Sequence, residues 1–380
     1  MDERIQQIVA ELPRLKSVDK VFREADERLA SGDIAFLADL AGALMVEKRA
    51  AGGDETWQYG SVFDHLLRLF ATTPGRLHVE QALRLVAMVA PESANFDRYV
   101  ASMLASSHMP EDLSAAFTGG DPGASEELRA SLVHELVLRG AAIAAIPSIH
   151  QWTRSAHWRD HPLGALPLEL DAFETDSALP QYSSRGSASA MPYGRPGNDA
   201  PTTLRGASRL PSATEVTTED FSSDAAAAVM NWVEESNGRF EARAFDLAEP
   251  VADAGLPDLL VELDLESLRG VDEQTPLTWS PVEPRRAWRV LFSAASSGGA
   301  YNYGHRGAYG RLYARRSIAA LSGASATAPS AELEQRVQAC RWFSFTADTT
   351  WFEQVAWDIG LVALSPDARH VTVLAATDTD

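Results

Sequence analysis

The stretch Ile359–Ala376, IGLVALSPDARHVTVLAA, decides the fold. Two apolar runs, Ile359 to Leu364 and His370 to Ala376, flank Ser365-Pro366-Asp367-Ala368-Arg369. Pro366 presets φ for a turn and Asp367 can hydrogen-bond its own backbone, so the two runs predict a β-hairpin. A strand buried on one face alternates apolar and polar residues, whereas one buried on both faces does not. Both runs are apolar at successive positions. The hairpin is therefore expected at the centre of a sheet covered by helices.

Outward from the hairpin, the rest of residues 220–380 reads as an α+β domain with a mixed sheet. Arg239 to Leu247 alternates and predicts a strand, and Trp342 to Thr346 reads as extended. Ala225 to Glu235, Ala308 to Leu321 and Ala331 to Ala339 read as helices, the first stopped by Asn237-Gly238. Leu259 to Leu265 and Trp288 to Ala294 fit strand or helix equally, because periodicity does not separate the two over so short a run.

The chain upstream has a different texture. In residues 1–171 apolar residues recur at helical spacing, as in Tyr59, Phe63, Leu66, Leu67 and Phe70, in Ile34, Leu37, Ala41 and Leu44, and in Val79, Leu83, Val86 and Ala87. Asp33 and Asp54 suit N-caps, since a short carboxylate accepts from the first free N–H groups. Breaks fall at Pro13, Gly52-Gly53, Pro74-Gly75, Pro91 and Gly119–Gly123. This predicts an all-α domain, built as a helical bundle or a HEAT-like array without a repeat of fixed period. Residues 172–219 are rich in Ser, Pro, Gly and Ala and short of large apolar residues, which predicts a flexible linker. Tyr182, Met191 and Tyr193 are its candidates for docking onto a folded part.

Composition narrows the function classes. The formal net charge is −20, spread along the chain, so long-range electrostatics oppose nucleic acid and anionic membrane as partners. The single cysteine, Cys340, forms neither an intramolecular disulfide nor a Cys-based zinc cluster. The charged start, Met1-Asp2-Glu3-Arg4, lacks the pattern of a signal peptide, and no apolar run approaches the length of a membrane span. A cytoplasmic protein is expected.

The first candidate site is Ser296 to Arg316, SSGGAYNYGHRGAYGRLYARR. Gly298, Gly299, Gly304, Gly307 and Gly310 free the backbone to turn its N–H groups toward an anion. A helix beginning near Ala308 would add its dipole. Arg306, Arg311, Arg315 and Arg316 bring guanidinium forks suited to phosphate or carboxylate, His305 brings a titratable ring, and Tyr301, Tyr303 and Tyr309 bring surfaces for stacking. The terminal Gly-Lys-Ser/Thr of a P-loop is missing, and so is the Rossmann fingerprint. The same residues also suit a tight loop entering a helix, with Ala314, Ile318 and Leu321 packed inward and the arginines solvated.

Two weaker candidates follow. In His150-Gln-Trp-Thr-Arg-Ser-Ala-His157-Trp-Arg-Asp160-His161, a helix would set His157 and His161 one turn apart, a spacing a divalent metal can use. The pattern is not His-Glu-x-x-His, and a surface cluster is the plainer reading. Glu353 and Asp358 are a carboxylate pair of undefined geometry, equally suited to structural pairing. The closing Thr377-Asp378-Thr379-Asp380 reads as a cation-binding or solvated tail, and Cys340 as a buried, inert thiol.

The segments WQYGSVFDHLLRLFATTPGR, VEQALRLVAMVAP, EELRASLVHELVLRG, GGAYNYGHRGAYGRLYARRSIAALSG and VLAATDTD resemble an uncharacterised bacterial family of high-GC genomes, the domain of unknown function 6183. The resemblance spans the chain outside the linker. It implies no activity, no cofactor and no site residues.

Two functions fit these observations. One is a regulatory or protein-interaction protein whose helical half meets a protein partner and whose C-terminal domain holds a small anionic ligand. The other is an enzyme acting on a phosphorylated or carboxylated small molecule at the Gly298–Arg316 loop. The enzyme requires Arg311, His305 and a carboxylate such as Asp358 to converge on one concave pocket.

Overall fold

The structure is a computed structural model that describes residues 2–51, 57–89, 94–118, 124–175, 178–189, 201–202, 204, 210–272, 277–352 and 357–379. Asp54, Gly52-Gly53, Pro91, Gly119–Gly123, Met191, Tyr193 and Glu353 lie outside the described residues. The chain divides into two compact units, Met1–Gly164 with Pro180–Ala188, and Ala165–Leu179 with Ser189–Asp380. Among the described residues, no helix is long and apolar enough to cross a membrane.

The first unit is helical: α1 (Glu3–Glu11), α2 (Asp19–Ala30), α3 (Ile34–Ala51), α4 (Trp57–Thr72), α5 (Arg76–Met88), α6 (Ala94–Ser107), α7 (Pro110–Leu113), α8 (Glu126–Leu138), α9 (Pro147–Trp152) and α10 (Ala156–Arg159). Tyr59, Phe63, Leu66, Leu67 and Phe70 are all buried on α4, as their spacing predicts. Asp33 caps α3, its carboxylate accepting from the Phe36 N–H at 3.3 Å. Every residue of α8 from Ala130 to Leu138 is buried, so this helix runs through the core rather than along its edge. Two short strands, β1 (Gln181–Ser183) and β2 (Gly186–Ala188), pair as a hairpin on this unit. Tyr182 fixes it there, donating to Ser102 Oγ at 3.0 Å and meeting Tyr99 edge-on.

The second unit is α+β. Its sheet strands are β3 (Pro201–Thr202), β4 (Ala213–Glu215), β5 (Arg239–Leu247), β6 (Leu277–Val282), β7 (Arg341–Ala347), β8 (Trp357–Leu364) and β9 (His370–Asp378), in the order β3-β6-β7-β8-β9-β5-β4. The predicted hairpin is β8–β9, with Leu364 opposite Val371 and Trp357 opposite Asp378, and it lies inside the sheet. A mixed sheet was expected, yet among the described residues every pairing is antiparallel. The reason is that the chain leaves β6 at Val282 and re-enters the sheet beside it, Val282 pairing with Trp342, so the helices between form an excursion that returns to its starting end.

The remaining helices are α11 (Glu219–Ala226), α12 (Met230–Glu235), α13 (Leu256–Glu262), α14 (Pro284–Ser297), α15 (Arg306–Leu321) and α16 (Ser330–Ala339). Of the two segments that periodicity left open, Trp288–Ala294 is helical throughout and Leu259–Leu265 is helical as far as Glu262, where a turn follows. Odd-numbered residues of β9 (Val371, Val373, Ala375) join Phe343, Phe345, Val362 and the α13 leucines in one apolar cluster. The opposite face meets α15, where Thr372 Oγ1 donates to the Leu321 carbonyl at 2.6 Å. Cover on both faces explains why the hairpin does not alternate.

Gly360 shows how closely this sheet is packed. A Cβ there would stand 2.1 Å from the Phe345 carbonyl oxygen, a backbone atom with no freedom to yield. Gly360→Ala is expected to destabilise the second unit by about 1–3 kcal/mol, the range for an overpacked core. Chemical denaturation of both proteins measures this, and an unchanged midpoint contradicts it.

Candidate functional site

The Gly298–Arg316 segment joins α14 to α15 within the second unit. α14 stops at Gly298, whose φ of 84° is the left-handed turn that ends a helix. The loop is then sewn down by its neighbours. Asn302 Oδ1 accepts from the Gly299 and Gly304 N–H groups at 3.1 and 3.2 Å, and its Nδ2 donates to the Asn231 carbonyl at 2.7 Å. The buried Asp378 carboxylate accepts from the Ala300 N–H at 2.6 Å and from Ser236 Oγ at 2.9 Å, while Ser236 Oγ accepts from the Tyr301 N–H at 3.3 Å. The glycine-rich backbone does hold an anion, and that anion is a side chain of β9. Gly299 is small because of it: a Cβ there would come within 1.9 Å of Asp378 Oδ2.

Two of the arginines, Arg311 and Arg315, are also committed inside. Arg311 is fully buried. Its Nε and Nη2 donate to the two oxygens of Glu174 at 3.1 and 2.6 Å, and it donates further to the carbonyls of Pro167 and Glu169 at 2.8 Å each. Arg315, one turn along, pairs with Asp171 and donates to Ser330 Oγ at 3.0 Å. Arg316 meets Asp224 at 2.5 Å.

The two acids come from one capping box. Asp171 accepts from the Glu174 backbone, and the Glu174 side chain accepts from the Asp171 N–H at 2.9 Å, bracketing a 3-10 turn over Ala172–Glu174. Phe173 between them is buried edge-on against Trp288, 5.8 Å away. A short turn thus presents two carboxylates at the spacing that α15 presents two guanidiniums. Such charges are tolerated in an interior only when paired and hydrogen-bonded.

The other predicted residues are dispersed. Tyr309 is buried beside Tyr313, and the His305 ring lies 4.7 Å from the same tyrosine. Arg306 opens α15 at a φ of 65°, with its guanidinium 5.9 Å from the Tyr303 ring. Tyr301 and Tyr303 stand 62% and 81% exposed. Asp358 accepts from Thr377 Oγ1 at 2.7 Å. By strand alternation it lies on the α13 side of the sheet, opposite to α15 and Arg311. The arrangement keeps Arg311 and Asp358 on different faces rather than in one pocket.

The histidine pair is placed apart in the same way, in the first unit. α10 ends at Arg159, so His161 falls beyond the helix that would have aligned it with the exposed His157. His161 Nε2 lies 3.2 Å from Glu127, and its Nδ1 accepts from the Leu163 N–H at 3.2 Å. Both ring nitrogens are occupied by protein. Among the described residues, no group of three or more His, Cys, Asp or Glu could hold a metal ion.

Sequence reading missed Glu174, Asp171 and Asn302, and it placed Asp378 in a cation-binding or solvated tail, whereas that residue is buried against the loop backbone. A signal existed for the first two, since Asp-x-x-Glu is the spacing of a capping box. No local signal marked Asp378, whose partners lie far back in the chain.

Fold and site together define a two-unit α+β protein whose conspicuous Gly- and Arg-rich segment is an internal brace. The sequence profile of a family of unknown function, DUF6183, matches residues 19–380, and the chain belongs to that family. No curated protein and no solved structure matches it.

Arg311→Met removes the bidentate partner of Glu174, leaving Arg315 at 3.7 Å as a more distant charge, and is expected to cost about 3–5 kcal/mol, with the double variant Arg311→Met/Glu174→Gln recovering much of the loss. Urea denaturation of the set measures it; a single variant within about 0.5 kcal/mol of wild type removes the brace from the account. Burial pushes the Cys340 thiol up to about 11, so it stays protonated at pH 8. Iodoacetamide at pH 8 should label the folded protein far more slowly than the urea-unfolded one, and equal rates would contradict that burial.

Proposed function

We propose that the protein is a non-catalytic interaction protein of the cytoplasm, which meets a protein partner through the α14–α15 loop and through its helical unit. One observation carries this reading: Arg311, Arg315 and Arg316 of the Gly298–Arg316 segment are paired with the protein's own carboxylates, while its two outer tyrosines are left to solvent. Arg311 and Arg315 lie against Glu174 and Asp171, and the loop backbone lies against Asp378. An anionic substrate would have to displace these buried partners, at a desolvation cost larger than a surface ion pair returns. This speaks against the small-anion site and against the enzyme reading built on it.

The same bonds make the loop a stiff platform. The N–H groups of Gly299, Ala300, Tyr301 and Gly304 all donate within the protein, so little backbone freedom remains to be lost on docking. Tyrosines on such a backbone supply large contact area at low entropic cost, which is why they dominate rigid recognition surfaces. The net charge of −20 supports a protein partner over nucleic acid or an anionic bilayer. A lone, protonated thiol suits a reducing compartment.

The test places a photo-crosslinking residue at Tyr303 of the full chain, in cells that express it, and compares wild type with a variant carrying Tyr301→Ala. A discrete crosslinked protein that disappears in the variant is the expected result. Crosslinking that is diffuse, or indifferent to Tyr301, overturns the proposal. So does turnover of a phosphorylated or carboxylated compound that is lost with Arg311.

A further inference from the structure

At the far edge of the sheet lies a feature that the brace does not use. β4 is the last strand beyond β5, and among the described residues no strand pairs with its outer side. Its pairing with β5 sets Ala213 opposite Leu247, Thr214 opposite Asp246 and Glu215 opposite Phe245. The Ala248 N–H donates to the Ser212 carbonyl, and the Val216 N–H donates to the Ala244 carbonyl. Residues 212, 214 and 216 therefore bond inward. By the alternation of an antiparallel ladder, the N–H and C=O groups of Ala213 and Glu215 point outward. All three residues of β4 are exposed.

Beside this edge a cleft of about 510 Å³ opens between β4, β5 and α13. Leu210, Phe245, Leu259 and Leu263 give it an apolar floor. Its charges are Glu215, Arg243, Glu262 and Asp264. Arg243 and Glu215 neutralise each other through a bidentate pair at 3.1 and 2.6 Å, and that guanidinium holds the Glu215 carboxyl below its ordinary range. Arg243 is fixed further by the Asp264 carbonyl at 2.8 Å. The exposed carboxylates of Glu262 and Asp264 remain, so the cleft carries negative charge over an apolar floor.

We infer that this edge binds an extended, basic segment of another protein chain by strand addition. The segment's backbone would pair with Ala213 and Glu215. Its alternate side chains would turn into the cleft, where an apolar residue covers Leu259 and Leu263 and a lysine or arginine reaches Glu262 and Asp264. Open edges are a hazard that proteins block with proline, lysine or bulges. β4 carries none of these, and its only charge is already paired.

The probe is a fluorescent eight-residue peptide, Lys-Thr-Val-Thr-Lys-Thr-Val-Thr, which sets lysine and valine in turn on one face of a strand, titrated against the full chain by polarisation at physiological salt. Its controls are the same peptide with glutamate in place of lysine and the same peptide N-methylated at every second residue, which keeps the charge and removes the ladder. Saturable binding of the first alone is expected. Ala213→Pro takes away an outward N–H that the fold itself does not use, and should weaken binding at least tenfold. Glu262→Gln/Asp264→Asn should weaken it severalfold and flatten its salt dependence; Asp264 sits at a φ of 51°, which Asn also accepts. Equal binding of the N-methylated peptide, or no saturable binding at all, overturns the inference and leaves only diffuse attraction to an acidic protein. Tyr301→Ala/Tyr303→Ala should bind the peptide as wild type does, which keeps this outcome separate from that of the loop.

Discussion

Two guanidinium groups stand inside the second unit, and the surrounding structure follows from the need to neutralise them. An arginine does not lose its charge on burial, so Arg311 and Arg315 require carboxylates within hydrogen-bond reach. Glu174 and Asp171 meet that need from a turn that lies well over a hundred residues earlier in the chain. The requirement brings Ala165–Leu179 into the second unit, although the residues on either side of that segment belong to the first. It also explains the form of the turn. A capping box already points one carboxylate at each end of a 3-10 turn, and the remaining oxygen lone pairs are free to face α15. Phe173, held between the acids, adds apolar burial against Trp288 at the same place.

The glycine-rich loop obeys a related constraint. Its residues are those of an anion-binding loop, and the physical logic of exposed N–H groups facing negative charge holds for it. What differs is the source of the charge. Asp378, the last residue of β9, fills the position that a phosphate would take. Gly299 is required for close approach to that carboxylate, and Asn302 closes the turn from within. Chemistry that reads as ligand binding in one dimension serves in three dimensions to fasten a helix hairpin to the end of a strand.

This contrast marks where legibility stopped. The β8–β9 hairpin, β5 and the α4 face were all readable, because each is encoded by neighbours within a dozen residues. Leu259–Leu265 and Trp288–Ala294 were ambiguous, because each run is too short for its period to separate helix from strand. The direction of the strands depended on how a long helical excursion returns to the sheet, a property of packing rather than of any segment. The partners of Arg311 and Asp378 depended on contacts across most of a domain. Residue type showed that those charges needed partners, and only the fold showed which ones. Asp171 and Glu174 stand between these cases, since their spacing was visible and their use was not.

A buried pair such as Arg311–Glu174 is a poor source of stability compared with apolar residues of the same volume, since both ions give up their hydration. Its value lies in what it forbids. An apolar contact between the Ala165–Leu179 segment and α15 would tolerate sliding by a residue or rotation of the helix, because hydrophobic burial has no direction. Two forks facing two carboxylates tolerate neither, for any shift strands a charge in a site of low dielectric. The orientation of α15 fixes where the α14–α15 loop emerges, and that loop carries Tyr301 and Tyr303. A stiff ionic brace beneath and an aromatic surface above are then two ends of one device: the charges set the geometry that the tyrosines present.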